Sequence, residues 1–331
     1  MICKLDFKDV LIVPKKTSMK SRRDVSIKRK ITFKNGKTWE GVPVISSNMD
    51  SVTNYKTCDI LRKHDFISCF PKYLNKIFLS DEILFPNSYM LSCGTLDEDV
   101  KIIKNIINKT NILFICIDVA NGYMDSLNRT CRHLRDCFPD IVIVAGNVVT
   151  PDAVEGLIKS GADIVKIGIG SGSVCETRLK AGVGYPQLSA ILECSKVAHA
   201  NGGYIISDGG IIHPCDIVKA FGAGADFVMC GSIFAGHDES PGEYTSEGKK
   251  LFYGMASDTA MDKYNNGKMG YRTAEGKTVQ IQGKGPLEHT LNDICGSIRS
   301  ACTYTNSRNI EDLQKNVEFI KVNNHHNTIY Q

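Results

Sequence analysis

Eight short apolar runs follow one another along the chain, most of them at intervals of roughly 20 to 30 residues, and each ends in small or polar residues. The stretches between them carry apolar residues at three- and four-residue spacing, which is typical of surface helices. This rhythm predicts repeated βα units, and eight such units close naturally into a (β/α)8 TIM barrel of the α/β class. The runs are VPVISSNMD from Val42, FISCF from Phe66, YMLSCG from Tyr89, ILFICIDVANG from Ile112, IVIVAGNV from Ile141, ADIVKIGIG from Ala162, YIISDGG from Tyr204 and DFVMCGS from Asp226.

A doubly wound open sheet is the alternative fold. The glycine run from Gly168 lacks glycine at the third position of G-x-G-x-x-G, which disfavours a dinucleotide-binding fold of that kind. In a barrel the chemistry lies at the carboxyl ends of the strands. Those ends carry Asn48, Asp50, Asp118, Asn121, Asn147, Cys175, Asp208 and Ser232.

The composition narrows the class of protein. A hydrophobic content of 42% over 331 residues can bury a large core, so we predict one catalytic domain over residues 1–331 without an inserted regulatory domain. The 13 cysteines form no C-x-x-C pair, which fits reduced thiols in the cytoplasm. There is no apolar run of membrane-spanning length, and a net charge of +4 is too small to indicate nucleic acid. We expect neither a membrane nor a nucleic-acid partner.

Two segments lie outside the βα rhythm. Between Pro14 and Lys37, ten Lys or Arg residues face the single acid Asp24, which describes either a solvated basic arm or a contact for an anionic cofactor. After the eighth strand, SPGEYTSEGKKLFYGM through GKTVQIQGKGPLEHT is too long and polar for a barrel loop and predicts a flap, with a disordered insertion as the alternative. Helices are predicted in SVTNYKTCDILRKH, TPDAVEGLIKSG, HPCDIVKAFGAG and LNDICGSIRSACTY.

The sixth strand is followed by GSGSVCETR, in which Cys175 stands among glycines. Glycine lets the backbone approach a ligand closely, and inward carbonyls there would suit a hard cation. A thiol at the barrel mouth is a candidate nucleophile for an electrophilic ring carbon. A cysteine in such a loop is by itself more often structural than catalytic.

Two further glycine loops follow the seventh and eighth strands, where barrels commonly bind phosphate through loop backbone. In SDGGI, Asp208 would hold ribose hydroxyls, while Gly209 and Gly210 would hold phosphate. In CGSIFAG, Gly231 and Ser232 would complete the phosphate site. Glycine also serves ordinary turns, but two such loops after adjacent strands predict a nucleotide.

A series of motifs resembles the GMP reductases: SGSVCETR, GVGYPQLSA, ISDGG, AFGAGADFVM, YGMAS, YRTAEGKTV and IRSACTY, in that order. The similarity runs over nearly the whole chain from LDFKDVL onward. It implies a (β/α)8 barrel, usually a homotetramer, that converts GMP and NADPH to IMP, ammonia and NADP.

The resemblance also implies roles for individual residues. Cys175 would attack C2 of the purine, and Thr177 with Glu275 would handle the proton of the departing ammonia. Gly170, Gly172, Cys175 and Arg178 match a loop that surrounds a potassium ion in similar proteins. The implied substrate contacts are Asp208, Gly209, Gly210, Gly231, Ser232, Gly254, Met255, Ala256, Arg272, Thr273, Ala274 and Gly276. The implied cofactor contacts are Ser21, Arg22, Lys72, Asp118, Val119, Ala120, Ser300, Ala301, Cys302 and Thr303. Arg22 or Lys72 would suit the 2′-phosphate of NADPH.

The chain departs from the family's usual residues at five positions: Ser171 for proline, Glu176 for threonine, Pro71 for histidine, and Ala256 and Ala301 for small polar residues. We expect Ser171 to loosen the ion loop. An inward Glu176 would raise the pKa of Cys175, and we expect it to point outward.

Two other functions stay open. An IMP dehydrogenase-like oxidation would use the same barrel, cysteine loop and covalent adduct. The glutamate of TAEGK, where the dehydrogenases have glutamine, and the lack of room for a regulatory domain argue against it. A non-catalytic nucleotide sensor is the other alternative, and the joint presence of Cys175, Thr177 and Glu275 argues against that.

Overall fold

The structure is a computed structural model and describes residues 3–79, 85–264 and 273–323. The first elements precede the barrel. They are the 3₁₀ helix Phe7–Asp9, strand β1 (Val10–Ile12), the 3₁₀ helix Arg22–Asp24, and an antiparallel hairpin of β2 (Arg29–Thr32) and β3 (Thr38–Gly41).

Eight parallel strands then close into a barrel, in the order β10-β11-β4-β5-β6-β7-β8-β9. They are β4 (Val44–Ser46), β5 (Ile67–Phe70), β6 (Tyr89–Cys93), β7 (Phe114–Asp118), β8 (Val142–Val148), β9 (Ile164–Ile167), β10 (Tyr204–Asp208) and β11 (Phe227–Cys230). Each lies inside one of the eight apolar runs, so the predicted (β/α)8 barrel is confirmed. The closed sheet excludes the doubly wound alternative.

Most of the described helices cover the outside of the barrel, and three of them follow the last barrel strand along the chain. The helices are α1 (Tyr55–Lys63), α2 (Asp97–Lys109), α3 (Asp125–Cys137), α4 (Pro151–Lys159), α5 (Thr177–Lys180), α6 (Gln187–Ala200), α7 (Pro214–Gly222), α8 (Asp258–Tyr264), α9 (Leu287–Tyr304) and α10 (Ile310–Asn316), with a 3₁₀ helix at Lys72–Leu79. The four predicted helices are confirmed as α1, α4, α7 and α9. Asn54 caps α1 by accepting from the Thr57 N–H at 2.8 Å, and α4 and α7 begin at proline.

The barrel interior is a packed apolar cluster, closed at its base by the β2–β3 hairpin. Trp39 of β3 packs on Phe227 with ring centroids 5.3 Å apart, and Phe33 meets Phe114 edge to face at 5.9 Å. Part of the basic run is therefore neither solvated nor free for a cofactor. Arg29 is 7% exposed and pairs with Asp226. With the base filled, the open end is the mouth at the carboxyl ends of the strands.

The described part of the predicted flap is ordered. Strand β12 (Lys249–Tyr253) pairs antiparallel with β13 (Thr278–Gln282), and α8 follows β12. We call β12, α8 and β13 with their described connections the lid. The last strand, β14 (Phe319–Lys321), pairs antiparallel with β1. None of the described helices combines the length and apolar character needed to cross a membrane.

Candidate active site

The cysteine loop lies between β9 and the short helix α5. Cys175 is half-buried, and its N–H donates to the Gly172 carbonyl at 3.0 Å, which closes a tight turn. Thr177 is the first residue of α5, so its hydroxyl points back toward the loop that precedes it. The Cys175 Sγ lies 3.3 Å from the Thr177 Oγ1. This arrangement sets a nucleophile beside a hydroxyl that can relay a proton.

Glu275 reaches this pair from the lid. The Thr177 hydroxyl donates to the Glu275 Oε2 at 2.8 Å. The backbone holds the contact in register, because the Glu176 N–H donates to the Glu275 carbonyl at 2.7 Å and Cys175 forms an antiparallel bridge with Gly276. The structure therefore brings together the three side chains that were predicted to be catalytic.

The two limbs of the lid are joined over the loop. The Gly254 N–H donates to the Lys277 carbonyl at 3.2 Å, and the Glu275 N–H donates to the Ala256 carbonyl at 3.1 Å. A Cβ on Gly254 would lie 3.2 Å from the Val174 carbonyl oxygen. The predicted substrate residues of the lid are thus next to the cysteine loop: Gly254, Met255, Ala256, Thr273, Ala274 and Gly276. Arg272 lies outside the described residues.

The lid is tied to the barrel mouth through Asp50, which follows β4. Its Oδ2 accepts from the Tyr253 hydroxyl at 2.8 Å, the Lys263 Nζ at 2.8 Å and the Tyr264 hydroxyl. The Asp50 side chain is 6% exposed. The buried Asp50 carboxylate therefore accepts hydrogen bonds from residues of both β12 and α8.

A charged network lies at the ends of β7, β8, β9 and β10. Lys166 is 1% exposed; its Nζ lies 2.5 Å from the Asp118 Oδ1 and 3.2 Å from the Asp208 Oδ2. Asn48 donates to the other Asp118 oxygen at 2.8 Å, and Asn147 donates to the Asp208 Oδ2 at 2.7 Å. Asp118 and Asp208, predicted to contact cofactor and ribose, are thereby held in fixed positions.

The charges of this network support one another. Burial alone would lower the pKa of Lys166, but the carboxylates of Asp118 and Asp208 raise it well above its ordinary value. Burial alone would raise the pKa of Asp118, but the Lys166 ammonium outweighs it and lowers that pKa. Sequence reasoning missed Lys166. The signal was a lysine in the middle of the apolar run IVKIGI.

The two glycine loops are neighbours because β10 and β11 are adjacent in the barrel. Gly209 and Gly210 adopt φ angles of +83° and +76°, which favour glycine. The Ser232 hydroxyl donates to the Ile211 carbonyl at 3.2 Å, and this hydrogen bond joins the two loops. Gly231 lies close to Ser47 and Met49, which follow β4. The residues predicted to hold phosphate are thus together.

The proposed ion loop is held by its neighbours. A Cβ on Gly170 would lie 2.7 Å from the Arg178 Cγ, so the arginine stem covers this turn. Arg178 donates to the Tyr185 carbonyl at 2.7 Å and pairs with Asp6 at 3.0 Å. Ser171, which was expected to loosen the loop, donates its hydroxyl to the Asp208 carbonyl at 2.8 Å, a contact that the family's usual proline could not make.

No cluster of His, Cys, Asp and Glu suited to a metal ion occurs among the described residues. A cation at the cysteine loop would therefore be held by backbone carbonyl oxygens. The Gly172 carbonyl receives one hydrogen bond, from the Cys175 N–H, and keeps a second lone pair. Oxygen ligands of this kind suit a hard monovalent cation.

The predicted cofactor residues fall into two groups. At the mouth, Asp118 ends β7 and is followed by Val119 and Ala120, and the Lys72 Nζ pairs with the Asp99 Oδ2 at 3.1 Å. The other group is formed by Ser21 and Arg22, whose 3₁₀ helix packs on α9, and by residues of α9 itself. Those α9 residues are Ser300, Ala301, Cys302 and Thr303.

The second group lies toward the base of the barrel. Barrel helices run antiparallel to the strands, so α9 begins near the mouth and ends about 27 Å away. The Lys15 N–H donates to the Tyr304 carbonyl at 2.8 Å, and the Ser26 N–H donates to the Arg308 carbonyl at 2.9 Å. Nearby Arg29 pairs with Asp226, which directly precedes β11. One chain therefore does not bring its two groups of predicted cofactor residues together.

Comparison with known proteins identifies the family of the chain. Residues 91–328 match the model of the IMP dehydrogenase / GMP reductase domain. The chain is 48% identical to a GMP reductase of Shewanella pealeana and 46% identical to GMP reductase 1 of Homo sapiens; both matches cover 99% of this chain and 97% of the relative. A GMP reductase of Caenorhabditis elegans is 48% identical, with 99% and 94% covered.

A solved structure has the same fold. It is a GMP reductase variant from Trypanosoma brucei in complex with guanosine 5′-monophosphate, with a TM-score of 0.88, 22% identity, and 97% of this chain and 96% of that chain covered. The domain match spans well over half of the chain, and the relatives match nearly all of it. The chain belongs to the IMP dehydrogenase / GMP reductase family.

Proposed function

We propose that this chain is a GMP reductase, which converts GMP and NADPH to IMP, ammonia and NADP. The observation that carries the proposal is the contact from Cys175 through Thr177 to the Glu275 carboxylate. A reductive deamination needs both a nucleophile and an acid for the leaving amine, and these three side chains supply them. The relatives at 46–48% identity bear the same name.

The covalent step belongs to the chain's own residues. The Cys175 thiolate attacks C2 of the purine and forms a C–S bond, while the C2 amino group takes up a proton and leaves as ammonia. In the observed contact Thr177 is the donor; once Glu275 is protonated this hydrogen bond reverses, and Glu275 gives its proton to Thr177, whose hydroxyl passes its own on to the amine. A hydroxyl both donates and accepts, so it can carry out this relay without moving away.

A nicotinamide cofactor, held at the mouth by Asp118, Val119 and Ala120, would supply a hydride to C2; the C–S bond to Cys175 would then break, returning the thiolate and releasing IMP. The lid excludes water from the covalent adduct. If water rather than hydride added to C2, the product would be that of an IMP dehydrogenase. The pairing of Cys175 with Gly276 supports this role, since it draws lid backbone directly across the loop.

Substrate binding is assigned to the two glycine loops and the mouth network. The loops of Gly209, Gly210, Gly231 and Ser232 present backbone N–H groups to the phosphate. Asp208 accepts hydrogen bonds from the ribose hydroxyls, and its position is supported by Asn147 and Lys166. The lid residues 254–256 and 273–276 then cover the base.

The cofactor assignment implies more than one subunit. The mouth residues and the arm residues lie at opposite ends of one barrel, so a single cofactor can contact both groups only between two chains. This favours the homotetramer that the family resemblance implies, with the arm of one subunit at the mouth of another. Arg22 would then bring a positive charge to the phosphates of NADPH, and a potassium ion would be held by the carbonyls of Gly170, Gly172 and Cys175.

The test measures NADPH oxidation and the release of ammonia from GMP. The purified protein should oxidise NADPH only when GMP is present and should release one ammonia for each NADPH. Formation of a reduced cofactor from IMP and NAD would instead support the dehydrogenase. Binding of GMP without turnover under either condition would support the nucleotide sensor.

A further inference from the structure

A cavity of about 550 Å³ lies outside the barrel, between α2 and α3. Its walls are two stripes at the spacing i, i+3, i+4 and i+7, which places each stripe on one face of its helix. On α2 the stripe includes Lys101 and Lys104, and on α3 it includes Arg129 and His133. Both helices bury a separate apolar stripe, which includes Ile103 in α2 and Leu127 in α3, so these basic residues belong to their polar faces.

The charge in this cavity is not compensated by the protein. Lys101, Lys104 and Arg129 form no ion pair with another described residue, and the only acid in the walls is Asp97. The Lys104 Nζ lies 3.2 Å from the His133 Nε2, a contact in which the neutral imidazole would accept a hydrogen bond from the ammonium. Some lysines of other outer helices are paired within their own helix, as Lys159 is with Glu155 at 2.6 Å.

The cavity has hydroxyl donors at the end nearer the mouth. Thr95 follows β6, and Ser126 is the second residue of α3; their hydroxyl oxygens lie 3.5 Å apart. Thr95 follows the carboxyl end of β6, and Ser126 follows that of β7. Asp118, the last residue of β7, belongs to the charged network at the mouth. The hydroxyl end of the cavity therefore lies on the same side of the barrel as the mouth, and the basic side chains, of which Lys101 and Arg129 are exposed, follow along the helices.

Lys72 is less free than these groups. Its Nζ pairs with the Asp99 Oδ2 at 3.1 Å, so its charge is already balanced. Asp99 belongs to α2 but not to the cavity wall. Lys101 and Lys104, which lie on the stripe that lines the cavity, have no such acidic partner among the described residues.

We propose that the α2–α3 cavity binds a phosphate group of a nucleotide through Lys101, Lys104 and Arg129. A phosphate ester offers several acceptor oxygens and a double negative charge, which matches two ammonium groups and a guanidinium with hydroxyls beside them. The phosphate belongs either to the 2′-position of the NADPH bound at the mouth, an assignment that rests on the proposed function, or to a separate nucleotide.

The test uses 2′,5′-ADP, which carries the 2′-phosphate of NADPH, and ATP, which is not a reactant. The variant is Lys101→Glu, and its matched control is Lys109→Glu, the same change at an exposed position of the same helix outside the stripe. Calorimetric titration of the full-length protein should show that Lys101→Glu weakens at least one of these ligands tenfold or more. Lys109→Glu should change either ligand less than twofold, and 5′-AMP should distinguish the 2′-phosphate from the adenosine.

A second measurement distinguishes the 2′-phosphate of NADPH from the phosphate of a separate nucleotide. A cofactor phosphate predicts that Lys101→Glu also lowers the preference for NADPH over NADH tenfold, with NADH turnover retained. A separate nucleotide predicts lost ATP binding and an unchanged preference. The proposal is overturned if the parent protein binds neither probe, or if Lys101→Glu and Lys109→Glu behave alike. Absent GMP-dependent oxidation in the parent protein would instead count against the proposed function, because the probe titrations do not require turnover.

Discussion

The Thr177 hydroxyl donates to the Glu275 Oε2 at 2.8 Å, and this hydrogen bond joins a side chain of the cysteine loop to a side chain of the lid. Thr177 starts a helix after the sixth barrel strand, whereas Glu275 comes from a segment beyond the eighth. The acid therefore reaches the nucleophile only while the lid lies over the mouth. The proposed chemistry and lid closure are consequently coupled through these two side chains.

Replacing Cys175 with alanine should leave GMP binding within about threefold of the parent and lower kcat by more than about 10³-fold. The phosphate and ribose contacts lie in other loops, whereas the covalent step depends on sulfur. Calorimetry with GMP and the rate of NADPH oxidation measure the two effects. Substantial steady-state turnover in this variant would remove the thiol from the mechanism.

The Glu275→Gln change should slow ammonia release from GMP by about 10² to 10⁴-fold. Hydride exchange between the cofactor and IMP should be partly retained, because that step involves no leaving amine. An ammonia assay and isotope exchange into IMP report the two halves. Glu176→Gln, one residue from the thiol, is the matched control and should keep both rates near the parent's. Ammonia release at the parent rate in Glu275→Gln would reopen the dehydrogenase interpretation.

Removal of the Asp50 carboxylate should loosen the lid. In Asp50→Ala, the donors from Tyr253 and Lys263 lose their acceptor. Hydrogen bonds to charged groups contribute about 1.5–3 kcal/mol, so opening should become about 10 to 100 times more frequent. Mass spectrometry of the Cys175 peptide after iodoacetamide treatment measures this as faster alkylation. Asp262→Ala, on an exposed position of the same lid helix, should leave the rate unchanged; equal rates in both variants would contradict the tether.

The Lys166→Met change should destabilise the barrel by about 1–3 kcal/mol, because it leaves Asp118 and Asp208, whose side chains are 32% and 20% exposed, without their buried cation. The pKa of Asp118 should rise at the same time. Urea unfolding at neutral pH measures the loss. As a comparison, Lys159→Met removes an exposed helix pair and should cost less than about 1 kcal/mol. Similar losses in the two variants would show that the network contributes little to stability.

His237 should make the protein less stable in mild acid. Its ring is fully buried, and burial lowers its pKa below the ordinary value. As the pH falls through about 6.5, the unfolded chain gains a proton that the folded one does not, so the free energy of unfolding decreases. The slope from this group is at most about 1.4 kcal/mol per pH unit. In His237→Gln, the free energy of unfolding should change less between about pH 6.5 and 5.5 than in the parent. The same change at the exposed His289 is the control and should leave the pH dependence as it is. If parent and His237→Gln show the same pH dependence, His237 is not its cause.

The barrel could be predicted from the sequence because strands buried on both faces need nearly continuous apolar runs. The glycine loops and Cys175 could be placed at the mouth for the same reason, since they follow those runs. Lys166 could not, because a charge inside an apolar run is tolerated only through partners from other strands, here Asp118 and Asp208. Local patterns carry no information on such distant pairing.

The basic run shows the same limit in another way. Its charges suggested solvent or an anionic ligand, but the alternating residues Ile31 and Phe33 carry the hairpin that fills the barrel base. The role of Glu275 followed only from family resemblance, because its contact with Thr177 depends on how the lid lies. The family and the barrel are confirmed, while the individual site roles stay predictions.

The pairing of β1 with β14 has a consequence for biosynthesis. Ile12 pairs with Phe319, so the first strand emerges from the ribosome long before its partner exists. Contacts of such sequence separation form slowly and leave an unpaired strand edge exposed in the meantime. The nascent chain must therefore wait until nearly all of these residues have been translated before this sheet can form, and during that interval the segment around β1 is a natural target for chaperones.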